Sequence, residues 1–154
     1  MRTGLLILLA AGGLAAGAPA TAAQPARTAR PACQLSLRAA PDTPSFAGAG
    51  RNAASAPALA QAAGATFAAA ASHLCAVGVV RPAHLAAYRR LLVRNAEGAD
   101  EPNIYDDAEE QPGALILEYA FAGGAGPTRA AVEAALRCWR NPQAAGCSAE
   151  DVGP

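Results

Sequence analysis

The stretch Ala114 to Phe121 reads ALILEYAF, and what it forms decides the fold. Leu115, Leu117, Tyr119 and Phe121 alternate with Ile116, Glu118 and Ala120. A period of two is that of a β-strand with one apolar face to bury and one to leave wet. A lone strand leaves its backbone groups unpaired, so the chain must supply a neighbour. Tyr88 to Asn95, YRRLLVRN, is the best candidate, with Leu91 and Val93 pointing inward. The same region also has a helical reading. Pro82 near a start, Leu85, Tyr88 and Leu92 at helical spacing, and Gly98 near a stop would carry a helix through Ala96. The need for a partner favours the strand, and Arg90 or Arg94 then meets Glu118 across the wet face.

A third short strand is expected at Cys33 to Arg38, with Cys33, Leu35 and Leu37 inward. Two helices follow from periodicity. Leu59, Ala63, Phe67, Ala70, Leu74 and Val77 make a stripe over 57–77, opened by Ser55 and Pro57 and closed by Gly78. Val132, Ala135, Leu136 and Trp139 mark a second helix over 128–140, with Thr128 as its cap and Asn141-Pro142 as its end. The expected fold is α+β: a small antiparallel sheet of about three strands, with two helices packed on one face.

The ends of the chain carry other signals. A basic start at Arg2, an apolar run from Leu5 to Ala18 and the small residues Ala20-Thr21-Ala22 describe a cleaved signal peptide over 1–22. That run falls short of the roughly 20 residues that span a bilayer. The expected product is therefore exported, in a bacterial periplasm or outside the cell, with no membrane span. Residues 23–32 hold two prolines and no periodicity and are read as a disordered arm. A single domain over 33–147 follows, with 41–54 as a mobile loop, 96–113 as an acidic loop, and 148–154 as a C-terminal tail.

Composition bounds how that domain is held together. Hydrophobic residues make up 53% of the chain but most are alanine, and aromatics are only 5%, so the core is thin. All four cysteines, Cys33, Cys75, Cys138 and Cys147, lie past the cleavage site. In a small exported domain an even count points to disulfides. Cys138 with Cys147 is favoured because the helix stop turns the tail back, which leaves Cys33 for Cys75. No Cys-x-x-Cys is present, so a thioredoxin-like role has no support.

Formal charge is zero and every basic residue is arginine. A nucleic-acid binder should carry a basic excess, so that class is excluded. Charge is segregated, however. Arg81, Arg89, Arg90 and Arg94 are followed by Glu97, Asp100, Glu101, Asp106, Asp107, Glu109 and Glu110. Within the acidic loop, Asp100, Asn103, Ile104, Tyr105, Asp106 and Asp107 form the candidate contact surface: an apolar knuckle between acidic flanks, suited to a basic partner. The arginine-bearing sheet face is a second one. Asp100, Asp106, Asp107 and Glu109 could alternatively hold calcium, although the spacing departs from the EF-hand pattern. His73, Cys75 and His84 offer donors for zinc but lack paired close spacing, so no metal site is assigned.

The catalytic inventory is poor. No Gly-x-Ser-x-Gly, phosphate loop or His-Glu-x-x-His occurs. Ser45 or Ser72 could meet a histidine only through the fold, which leaves a small secreted hydrolase as an alternative. The expectation is a non-catalytic binding protein without cofactor, engaging another protein or an envelope component.

Overall fold

A computed structural model describes residues 35, 37–48, 51–121 and 123–147. The expected leader (1–22), arm (23–32), Cys33 and tail (148–154) lie outside the described residues. The elements are β1 (Arg38–Pro41), α1 (Thr43–Phe46), α2 (Arg51–Ala76), α3 (Pro82–Leu85), β2 (Arg90–Asn95), β3 (Asn103–Asp106), β4 (Ala114–Tyr119) and α4 (Arg129–Arg140).

The α+β class stands, but the sheet differs from expectation. It has four strands in the order β1-β2-β4-β3. β1 pairs with β2 and β2 with β4 in parallel, while only β3 and β4 are antiparallel. The acidic segment supplies the difference. It holds β3, which runs back along the far edge of β4, so β2 and β4 never form a hairpin. Periodicity of two tells which face a residue takes and is silent about strand direction.

β4 is central, and Ala114, Leu115, Ile116 and Leu117 are buried on both faces. On the helix-covered face Leu91, Val93, Ile104, Leu115 and Leu117 join Phe67, Leu74, Val132 and Leu136 in the main core. On the opposite face Leu92, Tyr105, Ala114 and Ile116 form a second, smaller cluster. The face expected to be wet is thus apolar in its middle and polar at its two ends, near Arg90 and near Glu118. At the Glu118 end Arg94 lies in register with Glu118 but does not bond it directly. Its Nε donates to Asp42 Oδ2 at 2.8 Å and its Nη1 donates to the Tyr105 hydroxyl at 2.8 Å. That hydroxyl donates in turn to Glu118 Oε2 at 3.0 Å.

Two segments are more ordered than their composition suggests. The expected mobile loop contains α1, whose Phe46 is buried against Phe121 with ring centroids 5.6 Å apart. α2 starts six residues before Pro57, the expected start, and holds that proline inside the helix with its side chain in solvent. Leu59, Ala63, Phe67, Ala70 and Leu74 are buried as the stripe requires, but Val77 lies beyond the helix end and is 53% exposed. Gly78 takes φ of 79°, the left-handed conformation that ends helices at low cost for glycine. β1 begins at Arg38, not at Cys33, and Leu35 and Leu37 pack half-buried beside the core. β2 begins at Arg90, two residues later than expected, and of the competing helical reading only the short α3, Pro82–Leu85, forms.

α4 matches its expectation closely. Thr128 Oγ1 accepts from the Ala131 N–H at 3.2 Å, and Val132, Ala135 and Leu136 are buried. Cys138 and Cys147, nine residues apart, are joined by a disulfide. Cys75 is disulfide-bonded as well. Among the described residues no helix is long and apolar enough to cross a membrane.

Candidate functional site

α2 and α4 end at the same edge of the molecule, and the segments that leave them form a cleft of about 520 Å3. The turn after α2 contributes Gly78, Val79 and Arg81, and α3 contributes His84. The last turn of α4 contributes Arg137 and Arg140, and the loop beyond it Asn141 and Ala144. Each local sequence dictates its part. Gly78 reverses the chain out of α2, so that Val79 and Val80 reach back to the Leu74 carbonyl through their N–H groups. Arg81 then lies ahead of α3, where Pro82 opens the helix. Arg137 and Arg140 are three residues apart on α4 and therefore share a face.

Three arginines line this cleft and no acid among the described residues does. Among the described residues, none of Arg81, Arg137 or Arg140 has a carboxylate within ion-pair distance, whereas Arg94 has Asp42 and Arg129 has Glu133. Arg140 lies over an aromatic ring instead, its guanidinium carbon 5.1 Å from the Trp139 ring centroid in a cation–π contact. Trp139 is itself fixed. Tyr88 meets it edge-on at 5.9 Å, and its indole N–H lies 3.5 Å from Asp106 Oδ1.

His84 completes the polar lining. The His84 backbone N–H donates to the Arg81 carbonyl at 2.9 Å, and the ring Nδ1 accepts the Arg81 backbone N–H at 3.2 Å. In the neutral ring that bond places the proton on Nε2. Burial holds the His84 pKa below the ordinary histidine value, and the Arg140 and Arg81 charges lower it further. At neutral pH the cleft therefore offers three permanent cations and one neutral ring.

The acidic segment is built differently from the expected contact loop. Ile104 and Tyr105 are 1% and 8% exposed, on opposite faces of β3, so they are core residues and no knuckle exists. Asn103 is half-buried in the same strand. Asp106 faces Tyr88 and Trp139, and with burial it raises the Tyr88 pKa. Asp107 shapes the turn after β3, its Oδ1 accepting the Glu109 and Glu110 N–H groups at 3.1 and 2.9 Å. Only Asp100 remains exposed without such a role. The four carboxylates considered for calcium do not converge, and no group of three or more His, Cys, Asp or Glu among the described residues is arranged to hold a metal. His73, Cys75 and His84 also separate. His73 Nδ1 pairs with Glu133 Oε1 at 3.0 Å, Cys75 is in a disulfide, and His84 lies in the cleft.

The basic stretch is divided in the same way. Arg94 belongs to the sheet network, Arg90 donates to Gln111 Oε1 at 3.4 Å, and Arg81 goes to the cleft. Sequence reasoning missed Arg137 and Arg140 as site residues, because basic residues in a last helical turn are ordinary complements to the helix dipole. The available signal was a pair three apart with no acid from Ala134 to Cys147. No protein-family model, curated protein or solved structure matches the chain.

Proposed function

We propose that the chain is an exported, disulfide-stabilised, non-catalytic binding protein of the periplasm or cell exterior, and that the cleft beyond the ends of α2 and α4 takes an anionic group of its partner. The convergence of Arg81, Arg137 and Arg140 without a counter-charge carries this reading. Arg137 and Arg140 alone would need no ligand, since cations near a helix C-terminus contribute about 0.3–1 kcal/mol by themselves. Arg81 comes from another element, and its place beside them adds a repulsion that a bound anion would relieve. Export is supported by the composition of the first 22 residues and by the disulfide.

Citrate and pyrophosphate, each added at constant ionic strength to the isotope-labelled chain, should move amide resonances of Val79, Arg81, His84, Arg137 and Asn141 selectively. Shifts absent from this set, or spread evenly over the molecule, would rule the cleft out as a recognition surface.

A further inference from the structure

We infer that the cleft is a site for a phosphomonoester carried on a small organic body, such as a sugar phosphate or a phosphomonoester lipid headgroup. The inference rests on the anion-binding reading and goes on to the chemistry of the anion. Arg81, Arg137, Arg140 and His84 line one cavity, and the His84 ring carries its proton on Nε2. A carboxylate brings one negative charge and two acceptor oxygens, which would leave most of that donor set unmatched. A phosphomonoester brings a charge near −2 and three strong acceptor oxygens on a tetrahedral centre. Guanidinium forks meet such oxygens in pairs, which is why arginine is favoured wherever phosphate is bound bidentately.

The cavity also has an apolar part. Val79 is 36% exposed and lines it, as does Ala144. The total of about 520 Å3 lies in the range of pockets that accept small organic ligands. A phosphate group alone would leave the Val79 side empty. A ligand with a compact body fills both parts. The Arg140 guanidinium already rests on the Trp139 ring, so less side-chain freedom is lost when the phosphate arrives.

The test is titration calorimetry of the disulfide-bonded chain at constant ionic strength. Glucose 6-phosphate and glucuronate present similar bodies with different anions, and inorganic phosphate presents the anion without a body. Glucose 6-phosphate should bind about tenfold or more tighter than glucuronate, and tighter than inorganic phosphate. Vesicles containing phosphatidic acid, compared with phosphatidylglycerol, separate the sources: retention on phosphatidic acid alone assigns the group to a lipid. Arg81→Ala, Arg140→Ala and Arg140→Lys should each weaken glucose 6-phosphate binding about tenfold or more, the last because it keeps the charge and removes the fork. Arg89→Ala removes the same charge from an exposed position outside the cleft and should change affinity by less than about twofold. The circular dichroism of each variant establishes that it is folded, and Arg140→Lys serves if Arg140→Ala is not. Equal affinity for glucuronate and glucose 6-phosphate, lost in the arginine variants, overturns the phosphate assignment and leaves the anion cleft standing. Absence of binding to every anion overturns both.

Discussion

At the level of single residues, His84 and Tyr105 show how burial assigns a proton. The His84 pKa is lowered by burial and by Arg140 and Arg81, so the folded state prefers the neutral ring that accepts the Arg81 N–H. A depressed histidine pKa means that the unfolded chain takes up the proton first as pH falls. The stabilisation from His84 is therefore complete above about 6.5 and declines as pH drops through the lower folded value. His84→Ala should be less stable than the wild type at pH 7.5 by about 0.5–1 kcal/mol, the scale of a helix-start interaction. That gap should shrink as melting is followed down to pH 5. A gap independent of pH would mean that the ring's protonation is not what the cleft controls. Tyr105 is the opposite case. Its pKa is pushed up to about 12 by burial and by Glu118, with Arg94 acting against them. The hydroxyl stays protonated and links Arg94 to Glu118. Tyr105→Phe breaks both bonds while keeping the ring in its cluster, and urea unfolding should show a loss of about 1–2 kcal/mol.

Between elements, the decisive contact is the crossing of α2 over β1. Gly64 faces Ala39 so closely that a Cβ at position 64 would overlap the Ala39 methyl. Gly64→Ala would favour an isolated helix by about 1 kcal/mol, but here it should destabilise the protein by about 1–3 kcal/mol, because α2 must move off the sheet. Gly64→Ala combined with Ala39→Gly should recover most of the loss, as thermal melting would show. This contact also marks what the sequence could and could not reveal. α4 was legible because Val132, Ala135, Leu136 and Trp139 fall on one face and Thr128 caps it. β2 and β4 were legible as strands, with Leu91, Val93, Leu115 and Leu117 turned to the helices. Their parallel pairing was not, because side-chain alternation carries no direction. β3 was hidden because Ile104 and Tyr105 are only two apolar residues among acids, and their burial comes from pairing with Leu117 and Ile116. Gly64 gave no hint, since only the neighbouring strand explains its missing side chain.

For the molecule as a whole, the question is what keeps a cleft of like charges together. Arg81 and Arg137 are far apart in the chain and meet only because α2 and α4 pack side by side and end together, which is why the site could not be read from sequence spacing. The wall formed by Asn141 and Ala144 has little apolar anchorage of its own. Asn141 and Ala144 are tied by short backbone bonds, Asn141 N–H to the Arg137 carbonyl and Ala144 N–H to the Asn141 carbonyl, both at 2.9 Å. The Cys138–Cys147 bridge closes this segment onto the helix. Cys138→Ala with Cys147→Ala removes that closure and leaves the bond at Cys75 in place, a separation that reductant cannot achieve. Releasing a loop of this size should cost about 2–3 kcal/mol in urea unfolding. It should also weaken pyrophosphate binding, because an anion would then have to order Asn141 and Ala144 as it enters. If stability falls as expected and pyrophosphate affinity is unchanged, the bridge supports the fold alone, and the far wall of the cleft contributes nothing to recognition.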